Sequence, residues 1–131
     1  RARSEAKPEL KQRRRAVSAR RARSFRLANI KRASALITNP QHVAVALRYA
    51  PPAIDVPTVV ARGAERRAAA LREAARAFDV PIIQSEALAR ALYARFDVDD
   101  QISEEHYAAV AAVFAWILKN HGKLRRGDDT E

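Results

Sequence analysis

The chain has 131 residues, 48% of them hydrophobic, which is enough for one domain with a real core and short for two. It has no cysteine, so disulfides, thiolate metal sites and cysteine catalysis are excluded. The formal net charge of +10 sits at one end: residues 1–32 hold thirteen Lys and Arg against Glu5 and Glu9, giving +11, and residues 33–131 sum to −1.

A nearly neutral globular part thus carries a basic arm. Such an arm suits a nucleic-acid tail, a membrane-proximal segment or a solvated helix. Proteins that hold single-stranded nucleic acid set aromatic residues among the basic ones, and only Phe25 qualifies here, so nucleic acid is disfavoured as a partner. Lys and Arg are enriched just cytoplasmic of a membrane helix. The chain has no methionine, even at position 1, so a piece of a longer, membrane-anchored protein is expected. Its longest uncharged apolar run is twelve residues, Tyr107 to Leu118, whereas a spanning helix needs about 20. No apolar region follows the early arginines as it would in a signal peptide. The piece itself is expected to be soluble.

Residues 5–32 lack glycine and have proline only at Pro8, which permits a mostly solvated helical linker. An α/β domain is expected over 33–122 and a flexible tail over 123–131. Ala35 to Thr38 reads as a short strand. Asn39-Pro40-Gln41-His42 reads as a turn, with Asn first and Pro second, where its fixed φ fits. Val43 to Tyr49 reads as a buried strand. Pro51, Pro52 and Pro57 mark an irregular loop before a strand over Thr58 to Arg62. Gly63 is assigned to a turn and Ala64 to Phe78 to a helix, with Ala64, Ala68, Leu71, Ala75 and Phe78 on one face. Val80 to Gln84 is the next strand, and strand–helix–strand predicts a right-handed parallel crossover. Ser85 is a candidate cap for a helix over Glu86 to Arg95. Ser103 is a candidate cap for the last helix, with Glu104 and Glu105 in its first turn. Tyr107, Val110, Val113, Phe114, Ile117 and Leu118 are its expected inward face, Trp116 is assigned to the core, and Gly122 to the stop. The fold class is α/β: a small central sheet of about four strands with helices packed around it, preceded by a basic helical linker.

The chemistry concentrates at Asn39-Pro40. An asparagine carboxamide can attack a backbone carbonyl and close a five-membered ring. At an ordinary Asn–X bond, attack by the next backbone nitrogen on the side chain competes. Proline has no N–H, so that route is closed. What remains is attack by the Asn39 side-chain nitrogen on its own carbonyl, expelling Pro40 and cutting the chain. Holding the side chain near attack geometry can supply several kcal/mol. The oxyanion needs donors, for which backbone N–H groups of the turn are candidates. His42, across the turn, can assist proton transfer. The same pair is also a plain turn former, and His42 a plain hydrogen-bonded residue.

The residues Asn39-Pro40-Gln41-His42 followed by Val43-Ala44-Val45-Ala46-Leu47-Arg48-Tyr49 resemble the cleavage loop and following strand of the flagellar and type III secretion export-switch family, of the FlhB, YscU, SpaS and HrcU types. The likeness continues through Val80-Pro81-Ile82-Ile83, through Leu88-Ala89-Arg90-Ala91-Leu92-Tyr93 and into the acidic stretch before the last helix. It covers about residues 30–120. The resemblance implies self-cleavage between Asn39 and Pro40, with His42 assisting and Thr38 and Gln41 in the loop. It implies fragments that stay associated, and a cleaved domain that helps the export machine change substrates. The implied partners are other export-apparatus proteins, secretion substrates, a needle- or hook-length control protein and the chain's own cleaved fragment. The basic arm matches the family's linker to a membrane domain, so the implied place is the cytoplasmic face of the bacterial inner membrane. The position of Gln41 is usually threonine in the family, which bears on cleavage rate. The reaction would be a single intramolecular turnover without external substrate or cofactor. The alternative is a non-cleaving binding module whose arm engages nucleic acid or anionic membrane.

Other constellations are poor. Glycine occurs only at 63, 122 and 127, so there is no phosphate-cradling loop. His42, His106 and His121 lack metal-ligand spacing, so no metal is assigned. Asp97, Asp99 and Asp100 read as a solvated loop.

Overall fold

The computed structural model describes residues 25–120. A 3₁₀ turn, Leu27–Arg32, leads into strands β1 (Ala35–Asn39), β2 (Val43–Ala50) and β3 (Ile54–Ala64). Helix α1 (Arg66–Ala77), strand β4 (Ile82–Gln84), helix α2 (Glu86–Arg95), a 3₁₀ turn (Glu104–His106) and helix α3 (Tyr107–Lys119) follow. The sheet order is β3-β2-β1-β4. β1 is antiparallel to β2 and parallel to β4, and β2 is antiparallel to β3.

Side chains alternate across a strand, and here both faces are covered. Ala35, Ile37, Val45 and Leu47 face one core with Leu88, Ala89 and Leu92 of α2 and Val110, Phe114 and Ile117 of α3. Leu36, Ala44 and Ala46 face the other with Ala68, Leu71 and Ala75 of α1. Ile30, within the basic segment, is 1% exposed and packs in this second core. The register slips between Ala46↔Ala61 and Leu47↔Val59, leaving Val60 as an extra residue. That bulge puts Val60 and Ala61 on the same core face, where strict alternation would separate them.

The expected four-stranded α/β fold is the one found, with local differences. The predicted strand–helix–strand unit is a parallel crossover, but its strands are not neighbours. β3 and β4 lie at opposite edges, and β4 pairs with β1 instead, because β2 and β1 already fill the centre. β3 starts at Ile54, running through the segment assigned to a loop. Pro57 is tolerated because β3 is an edge strand. The Asp97–Gln101 segment is not a bare solvated loop: Asp100 C=O accepts from Val59 N–H at 2.9 Å, and Asp99 N–H donates to Val59 C=O at 2.8 Å. It covers the β3 edge, which would otherwise expose unpaired backbone. Gly63 lies in β3, not in a turn, and positive φ falls on Glu65. Glycine is needed at 63 for space, since a Cβ there would sit 2.6 Å from Arg67 Cβ.

Helix ends differ too. Ser85 and Ser103 stand at N-cap positions without side-chain capping bonds. Ser103 Oγ instead meets His106 Nδ1 at 3.2 Å. The guanidinium of Arg62 lies over the Tyr93 ring and donates to the Tyr93 and Phe96 carbonyls, closing the end of α2. Trp116 is 48% exposed and Leu118 78%, so neither is core, and Tyr107 is 40% exposed. A thirteen-residue helix packed along one stripe can bury only part of its surface, and Val110, Phe114 and Ile117 take that stripe. No described helix is long and apolar enough to cross a membrane. Of the helical linker expected over residues 5–32, the described part is the 3₁₀ turn Leu27–Arg32, held by buried Ile30; residues 1–24 of the arm on which the nucleic-acid and lipid alternatives rest, His121, the stop at Gly122 and the tail 123–131 lie outside the described residues.

Gly63→Ala is expected to lower stability by about 1–3 kcal/mol, the usual cost of overpacking. Urea denaturation measures it, and an unchanged midpoint would show that Arg67 moves aside freely.

Candidate functional site

The β1–β2 hairpin sits where β1, β3 and β4 all end. Asn39 is the last residue of β1, pairs with Val43, and is only 7% exposed. Thr38 before it is buried, and its carbonyl accepts from Ser85 N–H at 2.9 Å. Asn39 is therefore anchored through β2 on one side and the start of α2 on the other. Among the described residues, its carboxamide makes no hydrogen bond.

The turn is closed by His42 N–H donating to Asn39 C=O at 2.9 Å. Pro40 occupies the second position, and Gln41 the third with φ 74. Proline second and positive φ third are the marks of a type II turn, which prefers glycine or asparagine where Gln41 stands. A glutamine there costs about 1 kcal/mol or more in backbone strain. The carbonyl that bears the turn's hydrogen bond is also the carbonyl of the Asn39–Pro40 bond.

His42 ends the turn just before β2, with its side chain 64% exposed. Its Nδ1 lies 3.7 Å from Oε2 of Glu65, which is 73% exposed, and its carbonyl accepts from Glu65 N–H at 2.8 Å. The structure thus brings Thr38, Asn39, Pro40, Gln41 and His42 together and adds Glu65. Sequence reasoning missed Glu65 because it placed residues 64–78 in a helix. The β2–β3 register, Val43↔Ala64, is what carries Glu65 to His42, and no local pattern encodes that register. Helices α1 and α2 also begin at this end, and a helix N-terminus carries partial positive charge suited to a developing anion. His106 lies in a different constellation, edge-on to Phe96. No group of three or more His, Asp or Glu among the described residues could hold a metal ion.

This end of the sheet, with a buried asparagine before a proline, can be set against known proteins. The model of the FlhB HrpN YscU SpaS family matches residues 2–117. The chain belongs to this family. It is similar to the flagellar biosynthetic protein FlhB of Aquifex aeolicus, 38% identical over 120 residues, covering 92% of this chain and 34% of that protein. FlhB of Escherichia coli is also 38% identical, over 87% of this chain and 30% of its own length. The chain spans about a third of the length of these relatives. Among solved structures it is similar to the cytoplasmic domain of FlhB from Shewanella putrefaciens, with TM-score 0.69 and 33% identity over 78% of each chain. It is also similar to an EscU C-terminal domain carrying an asparagine-to-alanine substitution, with TM-score 0.63 and 29% identity over 66% of this chain and 86% of that one.

The strain at Gln41 is testable apart from any bond cleavage, in a background where Asn39 is replaced by alanine. Gln41→Asn is expected to raise stability by about 0.5–1 kcal/mol and Gln41→Val to lower it by about 1 kcal/mol, because asparagine tolerates positive φ and a β-branched residue does not. Thermal unfolding of the three chains gives the order.

Proposed function

We propose that this chain is the cytoplasmic domain of a bacterial export-apparatus protein, and that it cuts itself once between Asn39 and Pro40. The observation that carries the reading is the hydrogen bond from His42 N–H to the Asn39 carbonyl, in a turn that begins with a buried asparagine and continues with proline.

The chemistry follows from that geometry. Asn39 Nδ2 gives up a proton, to His42 or to water, and attacks its own carbonyl carbon. The oxygen becomes an anion where the His42 N–H already points, so the donor needs no rearrangement in the transition state. The C–N bond to Pro40 then breaks, and the proline nitrogen takes a proton. Residue 39 is left as a cyclic imide that water can reopen. Burial of Asn39 and its anchoring on both sides narrow the conformations open to the side chain, which lowers the entropic part of the barrier. The absent proline N–H removes the competing cyclisation. Strain at Gln41 is relieved once the turn is cut, which favours the products. EscU C-terminal domains similar to this chain have been solved with an asparagine, or the proline next in sequence, replaced.

Cleavage would leave the domain assembled. The bond lies in the turn, outside the β-ladder, while β1 stays paired with both β2 and β4 and keeps Leu36 and Ile37 buried. The fragment ending at Asn39 is therefore the natural partner of the rest. The cut frees the Pro40 end and changes the surface at this end of the sheet, the part that other export-apparatus proteins, export substrates or a length-control protein would meet. In this reading the parent protein lies in the inner membrane, with this domain on the cytoplasmic face. Through this cut the domain helps the apparatus change from early to later substrates.

Intact-mass measurement on fresh, folded protein is expected to find pieces 1–39 and 40–131 that co-elute and separate only in denaturant. Asn39→Ala should remain whole. His42→Ala should slow cutting by about two orders of magnitude, the lower end for assisted proton transfer. A folded wild-type chain that stays whole indefinitely sinks the proposal.

A further inference from the structure

Gln41, which precedes His42, and Glu65, whose N–H donates to the His42 carbonyl, have φ values that side-chain-bearing residues seldom adopt. For Gln41, φ 74 is what the turn demands. Glu65, at φ 54 and ψ −116, is different, since that combination belongs to glycine and no hairpin turn requires it there. Such strain persists only where the surroundings over-determine it, and it gathers at functional sites. Here it does two things. Glu65 N–H adds a rung to the β2–β3 ladder at the His42 carbonyl, 2.8 Å away, while Glu65 C=O accepts from Ala69 N–H at 3.0 Å and opens α1. Its side chain is thereby carried out of the helix and over the hairpin, with Oε2 3.7 Å from His42 Nδ1.

We infer that Glu65 is the positioning residue for His42 in the self-cleavage proposed above, on which this inference rests. Its carboxylate favours the ring form with the proton on Nδ1. That leaves the lone pair on Nε2, the nitrogen that receives the Asn39 carboxamide proton and passes it to the Pro40 nitrogen as the C–N bond breaks. Glu65 itself gains and loses no proton. A carboxylate that selects the tautomer and orientation of a histidine base is a recurring arrangement in acid–base sites.

Among the described residues, Glu65 pairs with His42 and with none of the arginines beside it. It borders a cavity of about 360 Å³ with Arg62, Arg66, Arg67 and Tyr93. Arg62 is committed to the Tyr93 and Phe96 carbonyls, and Arg67 lies over the Phe25 ring. The pair is nevertheless solvent-screened, so the effect on rate is about three- to fivefold, the size of an exposed ion pair.

The test compares cleavage rates of the full chain with Glu65→Gln, Glu65→Gly, His42→Ala and the His42→Ala, Glu65→Gln double variant. Glutamine removes the charge and keeps the strained side chain; glycine removes both. Each Glu65 variant is expected to slow cleavage about three- to fivefold, and Glu65→Gln to add nothing once His42 is gone. No slowing by Glu65→Gln, or the same slowing without His42, overturns the role. A second readout needs no cleavage. In the Asn39→Ala chain, nitrogen-15 spectra of the His42 ring should show the Nδ1–H form falling when Glu65 becomes glutamine. An unchanged tautomer ratio in a chain whose wild type does cut overturns the positioning role alone. A folded wild-type chain that never cuts overturns the self-cleavage reading, and Glu65's part in it, whatever the ratio does.

Discussion

Strand β1 pairs on both sides at once, antiparallel to β2 and parallel to β4, and every one of its five residues is buried. The rest of the molecule follows from that double pairing. A central strand presents one face to each core, so Leu36 joins the α1 layer while Ala35 and Ile37 join the α2–α3 layer. Burying each large aliphatic side chain is worth about 1.5–3 kcal/mol. A slip of one residue would exchange the two faces and lose both sets of contacts, so the register is pinned. With the register pinned, Asn39 has one place to be: at the strand's last position, inside the sheet, with its carbonyl turned into the hairpin.

The same constraint connects stability with the proposed chemistry. A sheet that grips the chain up to residue 39 and again from residue 43 leaves a three-residue connection to reverse direction. Proline meets that demand at the second turn position, and Gln41 meets it at a conformational cost. That cost sits in the same turn as the one Asn–Pro bond, whose cyclisation chemistry proline would redirect toward cleavage. Because the bond lies beyond the last rung, breaking it costs no ladder hydrogen bond and exposes none of the core. By the proposed cut, the domain would change its surface covalently and keep its fold.

Much of this could be read from the residues. β-branched and aliphatic runs marked the central strands, the spacing of Ala68, Leu71 and Ala75 marked α1, and Asn-Pro marked the turn. Each is a local property, governed by propensity and periodicity over a few residues. Failures came where local preference met a non-local partner. Gly63 looked like a turn residue and is in the sheet, because Arg67 packs where a side chain would be. Pro57 looked like loop and is in an edge strand. Trp116 looked like core and is half exposed, since hydrophobicity does not say which stripe of a helix meets the sheet.

The sequence by itself determined where the proposed cut would fall and which group would make it, because that chemistry depends only on a carboxamide beside a residue without an N–H. It also determined that the basic charge lies ahead of the domain, and which segments are helix or strand at their centres. Tertiary structure decided the order of the strands, the hydrogen bond on the Asn39 carbonyl, and the meeting of His42 with Glu65. Those arise from pairing between segments far apart in the chain, where the sheet's register, set by the two cores together, fixes what stands opposite what.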